Sequence, residues 1–148
     1  MQKLAIPEQL AQDCDNCQGL CCMAHVHRPQ DGFPISEKKP AGAPCFNLET
    51  DPHAERGLYK CRIYETLADS GWTMCKQFTC YGAGQAVSEF FKELGISWAE
   101  KPEEMNTEEW RIRILNFRYG YQALFEVFKL LNAIKVGMGE EAYLAAKT

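Results

Sequence analysis

The sequence predicts a mainly α fold, in which an irregular, loop-rich cysteine-cluster module packs on a small antiparallel helical bundle. Three observations lead to this prediction. The 148 residues are 46% hydrophobic and 24% charged, the composition of an ordinary globular domain that buries a core of its own. All eight cysteines precede residue 81, in a stretch rich in proline and glycine. The residues that follow carry apolar side chains at helical spacing instead.

The distribution of cysteines divides the chain into two parts, which we expect to form one compact folding unit. Residues 1–84 are the predicted metal-binding module, and residues 85–148 are the predicted helical bundle. Residues 1–13 are expected to contain one short helical turn, but from residue 14 to about 60 no periodicity is visible. So long a loop is uncommon in a compact domain. A metal that joins distant thiolates can hold it, because the free energy of metal binding then adds to that of folding.

Two helices are predicted next. Apolar residues recur at i, i+3, i+4 and i+7 from Ala83 to Leu94, so a helix should bury one face there and end near Gly95. A metal site at Cys80 would lie at the N-terminal end of this helix, where the helix dipole favours negative charge. Asn106 is then a plausible N-cap for a second helix that begins at about residue 107.

The second helix is long, because a heptad-like apolar seam continues to about Val136. Gly137 and Gly139 should end it, and a short last helix over residues 140–146 completes the chain. We interpret the seam as the core of an antiparallel bundle, with a dimer interface or partner groove as the alternative. The seam residues are Trp110, Ile114, Phe117, Tyr121, Leu124, Phe128 and Leu131.

Two other features of the long helix have two interpretations each. Gly120 interrupts the seam, either as a local weak point or as a place of close helix contact. Arg111, Arg113 and Arg118 form either a solvated face or a basic docking patch.

Charge and hydropathy argue against two classes of partner. The net charge of -4 and the pI near 5.4 are poorly suited to neutralising phosphates, so we expect no nucleic acid partner. No apolar run approaches the roughly 20 residues that span a bilayer, and the first residues lack the pattern of a signal peptide. We therefore expect a cytoplasmic protein with no membrane partner.

The motif CDNCQGLCC at residues 14–22 carries the chemistry. A Cys-x-x-Cys turn lets two sulfurs converge on one ion at about 2.3 Å. Cys21 and Cys22 would point opposite ways in extended backbone, so that one can serve this centre and the other a second one. Eight thiols suffice for two four-coordinate sites, or for one site with spare redox-active thiols. The candidate ligands are Cys14, Cys17, Cys21, Cys22, Cys45, Cys61, Cys75 and Cys80.

Metal binding or redox chemistry is a better interpretation of these cysteines than a disulfide framework, because the cytoplasm keeps thiols reduced. His25, His27 and His53 are further candidate ligands. The sequence contains no nucleophile elbow, HExxH pair or phosphate-binding glycine loop, so no catalytic residue is predicted. Whether the chain is an enzyme stays open.

The cysteine motifs also resemble a known family. CDNCQGLCC, then KPAGAPCFNL, CRIY and FTCYGAGQ, are similar to the CxxCxxCC family of zinc- or iron-chelating cysteine-cluster proteins. The likeness is greater to the cysteine-rich module at the N-terminus of some bacterial pentapeptide-repeat proteins. It covers roughly residues 14–85 and includes all eight cysteines, but one spacing is a residue longer than in the broad family and no five-residue repeats follow. The resemblance implies metal chelation and leaves zinc and iron–sulfur open.

Two functions follow from the interpretation of the cysteines as metal ligands. In the first, Zn²⁺ holds the module together in closed thiolate sites, and the helices mediate interaction with a protein partner or a second copy of the chain. In the second, one or two centres of the [4Fe-4S] type transfer electrons or support a redox enzyme. A third candidate is a thiol oxidoreductase that uses Cys14 and Cys17 in exchange chemistry, although the βαβ setting typical of such motifs is not apparent.

Overall fold

The computed structural model describes residues 6–7, 9–50, 59–98 and 101–147, and the mainly α prediction is confirmed in this part of the chain. Its α-helices and β-strands are α1 (Leu20–Ala24), β1 (Leu48–Thr50), β2 (Tyr59–Cys61), α2 (Thr73–Gln77), α3 (Ala83–Glu93), α4 (Thr107–Met138) and α5 (Glu140–Lys147). Three short 3-10 helices cover Cys14–Asn16, Pro29–Asp31 and Tyr64–Thr66.

The three C-terminal helices begin where the sequence predicts. The Asn106 side chain accepts a hydrogen bond of 2.9 Å from the backbone N–H of Glu109, and the Glu109 carboxylate accepts one of 3.3 Å from the backbone N–H of Asn106. This capping box satisfies two backbone donors that would otherwise lack partners. Helix α4 ends at Met138 because Gly139 adopts a positive φ of 90°, two residues beyond the predicted end.

Helices α3 and α4 run antiparallel and form the main core. Phe91, near the end of α3, packs on Phe117 with ring centroids 4.2 Å apart, whereas Tyr81, just before α3, packs near Phe125. The predicted seam is confirmed as core, because Phe117, Tyr121 and Phe128 are fully buried and the other four seam residues pack against them. Each buried aromatic side chain of this kind contributes roughly 1.5–3 kcal/mol through the hydrophobic effect.

The N-terminal module contains more regular structure than its sequence predicts. Helix α1 begins after Gly19, whose φ is +68°, and β1 pairs antiparallel with β2 so that Leu48 lies opposite Cys61. A side chain at Gly19 would meet Leu48 at 2.7 Å, so the helix and the sheet can approach closely only at glycine. These elements are short, which explains why they leave no periodic pattern. The helical turn predicted within residues 1–13 is wrong for the described residues there, 6–7 and 9–13.

A buried glutamine joins the module to the bundle. Gln18 accepts a bond of 2.9 Å from the indole N–H of Trp98 at its backbone carbonyl, and its own backbone N–H donates to Ser88 Oγ at 2.8 Å. Cys17 and Leu20 of the module pack in the same core as the helices. Residues on both sides of position 84 therefore share one core, and the proposed boundary between two parts stays a prediction.

The arginines of α4 are less exposed than a solvated face implies. Arg113 donates a hydrogen bond of 3.0 Å to the carbonyl of Ser97, and Arg118 is half-buried with its guanidinium over the ring of Tyr119. Of the three arginines, Arg111 is the exposed one. A side chain added at Gly120 would meet open space, so no close contact within the described residues requires this glycine. Within the described residues, no helix has the length and apolar character needed to cross a membrane.

Candidate metal centre

The thiols surround a cavity of about 430 Å³ within the N-terminal module, lined by residues between positions 12 and 78. Its lining includes seven of the eight cysteines, together with His25 and His27. The eighth, Cys80, is buried just before α3, and its sulfur lies beside Gly84 together with the sulfur of Cys17. All eight are free thiols. The fold thus brings cysteines from several separate stretches of the chain to one region.

Three of these cysteines belong to or pack against the main core, and we group Cys14 with them as the helix-side thiols. Cys17 and Cys80 are core residues, and Cys21 packs against the same core. Cys14 is the exposed member, yet the charges of Cys21 and Cys80 both act on it. The helix-side thiols are Cys14, Cys17, Cys21 and Cys80.

The other four, the loop-side thiols, surround a second and smaller apolar cluster. Its buried members are Cys45, Leu67 and Trp72, and the remaining three thiols pack against it. The backbone N–H of Cys45 donates to the carbonyl of Cys22 at 3.0 Å, which ties the long loop to α1. The loop-side thiols are Cys22, Cys45, Cys61 and Cys75.

Cys21 and Cys22 join the two sets, with their sulfurs 3.9 Å apart. The expectation that their side chains point opposite ways assumed extended backbone, whereas both residues lie in helix α1. Successive side chains on a helix diverge by about 100°, so the two sulfurs can remain neighbours while Cys21 packs on one core and Cys22 on the other.

Backbone and hydroxyl groups donate hydrogen bonds to several of the sulfurs. Burial raises the pKa of Cys80, but the N–H groups of Gly84 and Gly82 donate to its sulfur and oppose the increase. At Cys17 the backbone N–H of Leu20 and the Ser88 hydroxyl act in the same way. Hydrogen bonds of this kind stabilise thiolates, and they tune the sulfur ligands of metal centres.

Without a cation, the cavity favours neutral thiols. Burial, followed by the charge of Cys21, raises the pKa of Cys17 to about 12, of Cys75 to about 12 and of Cys14 to about 11. The pKa of Cys21 is also raised, first by its hydrogen bond with Cys22 and then by burial. A bound metal ion reverses this preference, because it is the largest charge in its surroundings and deprotonates a coordinating thiol.

The sulfurs are spread around the cavity and do not converge on one position. Among the described residues, no three Cys, His, Asp or Glu side chains are arranged so that they could hold one ion as they stand. A single ion would therefore require cysteine side chains to rotate inward, whereas a larger occupant could contact sulfurs across the cavity.

The histidines differ in what their ring nitrogens contact. His25 Nε2 is hydrogen-bonded to the hydroxyl of Tyr121 at 2.9 Å, and burial lowers its pKa. His27 is 5% exposed and stacks on Phe33, but its Nδ1 atom has no hydrogen-bond partner among the described residues. His53 lies outside the described residues.

Lys39 is a functional candidate that sequence reasoning missed. Its ammonium donates to three backbone carbonyls, at 3.2 Å to Met23, 3.0 Å to Pro40 and 2.6 Å to Ala43. Burial lowers its pKa to about 8, and negative charge on cysteines, Cys45 first, opposes that decrease. The half-buried Lys39 ammonium is thus a cation near Cys45 and Cys22. Nothing in the sequence distinguishes it from the neighbouring lysine.

Comparison with known proteins adds one relative. An uncharacterized protein of Bacillus subtilis (strain 168), YybG, is 36% identical to this chain over 97 residues, which are 66% of the chain and 31% of YybG. The chain therefore spans less than a third of the length of that curated relative. No protein-family model matches the chain, and no solved structure matches it. The resemblance to cysteine-cluster families stays a prediction.

Proposed function

We propose that this chain is a cysteine-cluster metal-binding protein in which thiolates around the cavity hold the metal, and the metal holds the module together. The observation that carries the proposal is the gathering of seven cysteines on one cavity of about 430 Å³, with the eighth just before α3. In the smaller apolar cluster, half of the surrounding side chains are thiols. A single buried thiol can serve as a small apolar side chain, but the clustering of so many thiols is typical of residues that bind a shared ligand.

The donors fit a soft metal. Thiolates are the ligands of structural zinc and of iron–sulfur clusters, and both kinds of centre accept hydrogen bonds at sulfur from surrounding donors. When bound, zinc would supply structural cross-linking, and a cluster would supply one-electron chemistry. The chain's own contribution is to position the sulfurs, to donate N–H groups to them and to place Lys39 nearby.

A cluster of the [4Fe-4S] type is the occupant that the volume favours. A closed tetrahedral zinc site has sulfurs about 3.8 Å apart, which leaves no room between them. A cavity of about 430 Å³ is far larger than such a site. With a cluster the chain would transfer electrons or support a redox enzyme.

Zinc is the second candidate. It would fit the four thiols in and around the smaller apolar cluster, because four thiolates form a closed structural zinc site. The thiol oxidoreductase is the third candidate, and the pKa of Cys14 does not favour it. An attacking thiol needs thiolate character near ambient pH, whereas burial raises the pKa of Cys14 to about 11.

We place the protein in the cytoplasm, where free thiols persist.

The test is to measure zinc, iron and acid-labile sulfide per chain in protein purified without oxygen. Iron with matching sulfide would support the electron-transfer role, and zinc without sulfide would support the structural one. A Cys17→Ser variant should bind less metal than the wild type and have a less stable module, while the helices stay folded. Wild-type protein with no bound metal, or Cys17→Ser protein with unchanged metal content and thermal stability, would contradict the proposal.

We also propose that α4 mediates interaction with a second copy of the chain. Besides the core seam, α4 has a second line of apolar residues, which we term the outer stripe. Its members are 39–64% exposed and recur at spacings of three, four and eight. Repetition at three and four residues is typical of a coiled-coil seam. The outer stripe consists of Ile112, Leu115, Tyr119, Val127, Leu130 and Ile134.

The area of the outer stripe suits a dimer. Six large side chains, each about half exposed, offer on the order of 500 Å² of apolar surface, and the largest apolar patch of a monomer is often functional at this size. Two such faces together bury about 1,000 Å², which is the lower limit of a specific interface. Sedimentation analysis should show a dimer that Leu130→Glu converts to a monomer, whereas Lys129→Glu, at an exposed position beside the stripe, should not. A wild-type monomer, or a stripe covered by a different partner, would contradict a homodimer.

A further inference from the structure

We infer that the eight thiols form two separate four-thiolate metal centres that share α1 as a common wall. This inference rests on the proposed metal-binding function and adds the assignment of each cysteine to a centre. The first centre uses the helix-side thiols, Cys14, Cys17, Cys21 and Cys80. The second uses the loop-side thiols, Cys22, Cys45, Cys61 and Cys75.

Packing separates the sets first. Cys17, Cys80 and Cys21 belong to or contact the large core that α3 and α4 dominate. Each of the loop-side thiols instead belongs to or contacts the smaller cluster around Leu67 and Trp72. No cysteine belongs to or packs against both clusters, so the packing separates seven of the eight thiols into two sets.

Electrostatic neighbours support the same division. At Cys14 the acting cysteine charges are those of Cys21 and Cys80, both of which are helix-side thiols. At Cys61, the first acting cysteine charge is that of Cys45, a loop-side thiol. Cys21 acts on both sets and is the first acting cysteine charge at Cys75, ahead of Cys45 and Cys61, because it lies at the junction in α1.

The first turn of α3 completes the helix-side centre. A Cβ atom at Gly84 would lie 2.7 Å from the sulfur of Cys17 and 3.7 Å from that of Cys80. The two sulfurs therefore share one small region at the N-terminus of α3, and N–H groups of Gly82 and Gly84 donate to Cys80 there. Among the loop-side thiols, the backbone N–H of Ile63 donates to Cys61, and Lys39 supplies a cation near Cys45 and Cys22. The two centres thus differ in what offsets their negative charge.

The adjacent cysteines connect the centres. Because Cys21 and Cys22 are consecutive residues of one helix, with sulfurs 3.9 Å apart, two bound centres would be close neighbours. Neighbouring iron–sulfur clusters would then couple magnetically when both are reduced. Neighbouring zinc ions would be removable one after the other.

The test compares one variant from each set at the same metal loading. Cys17→Ser and Cys45→Ser should each retain about half of the wild-type metal per chain, and the double variant should retain none. The two single variants serve as controls for each other, because both replace a buried thiol with a hydroxyl. Loss of all metal in either single variant would overturn the division into two centres. Absence of metal in the wild type would instead contradict the proposed function itself.

A second measurement uses the unaltered protein, so that it does not depend on the folding of a variant. A chelator should remove the metal in two phases of equal amplitude. Alkylation of the thiols released in the first phase, followed by mass mapping, should label one complete set and spare the other. A single phase, or labels divided between the helix-side and loop-side thiols, would overturn the assignment.

Discussion

A methyl group at position 84 should disrupt the helix-side centre without removing a ligand. A Cβ atom there would lie 2.7 Å from Cys17 Sγ, whereas even two carbon atoms in contact lie about 3.5–4.0 Å apart. In Gly84→Ala, the Cys17 sulfur or α3 must therefore move by about 1 Å. Metal–sulfur bonds tolerate only about 0.2 Å, so this displacement is large for a ligand.

The expected effects on metal binding and on folding differ in size. Overpacking costs roughly 1–3 kcal/mol, and the better helix propensity of alanine returns up to about 1 kcal/mol. We therefore expect a modest loss of about 1–2 kcal/mol in the free energy of unfolding of the metal-free chain. Metal affinity at the helix-side centre should fall about 10–100-fold, as when the surroundings of a ligand are altered.

The assay is competition with a chromophoric chelator, with urea unfolding of the metal-free protein alongside. Gly120→Ala is the matched control, because it is also a helical glycine but its added methyl group would meet open space. It should stabilise the chain by up to about 1 kcal/mol and leave metal affinity unchanged. Equal metal affinity in Gly84→Ala and the wild type would refute the placement of Cys17 as a ligand at α3.

Three other predictions concern the fold and its dependence on pH. Asn106→Ala removes the capping box of α4 and should cost about 1 kcal/mol in urea unfolding; no change would mean that the cap is dispensable. Phe117→Ala leaves a cavity in the main core and should cost about 3–5 kcal/mol, measured in the same way. For the metal-free chain, burial raises the pKa of Cys17 and Cys75 from 9.0 to about 12. Their contribution to stability is complete below pH 9 and is lost as the pH rises towards 12, because unfolded thiols ionise first; urea midpoints that do not fall above pH 9 would contradict it.

The helical half could be predicted in detail because its signals are local. Asn106 and Glu109 form the capping box that their spacing predicts, and the seam that contains Phe117 and Tyr121 is the core. The outer stripe was overlooked, since the stronger seam accounts for the helix and a second apolar face adds no new period. Its exposure can be judged only when the neighbours of α4 are known.

The module could be predicted only by its composition. The spacing of the cysteines indicates metal ligation but not which of them are neighbours, because Cys45, Cys61 and Cys75 reach the cavity through non-local folding. The short elements α1 and β1 leave too few residues for a period to appear. Lys39 carries no local signal, because its role depends on three carbonyls that the loop brings to it.

The most direct test of the central claim is X-ray absorption at the edge of whichever metal copurifies with the chain. Thiolate ligation predicts a first coordination shell of sulfur alone, about four atoms per metal at about 2.3 Å for zinc, with a further metal neighbour if the occupant is a cluster. The same shell should persist in Tyr121→Phe, which alters only the hydroxyl that His25 contacts. A shell of oxygen and nitrogen would contradict the account, because it would mean that the metal binds elsewhere and that the eight thiols serve another purpose.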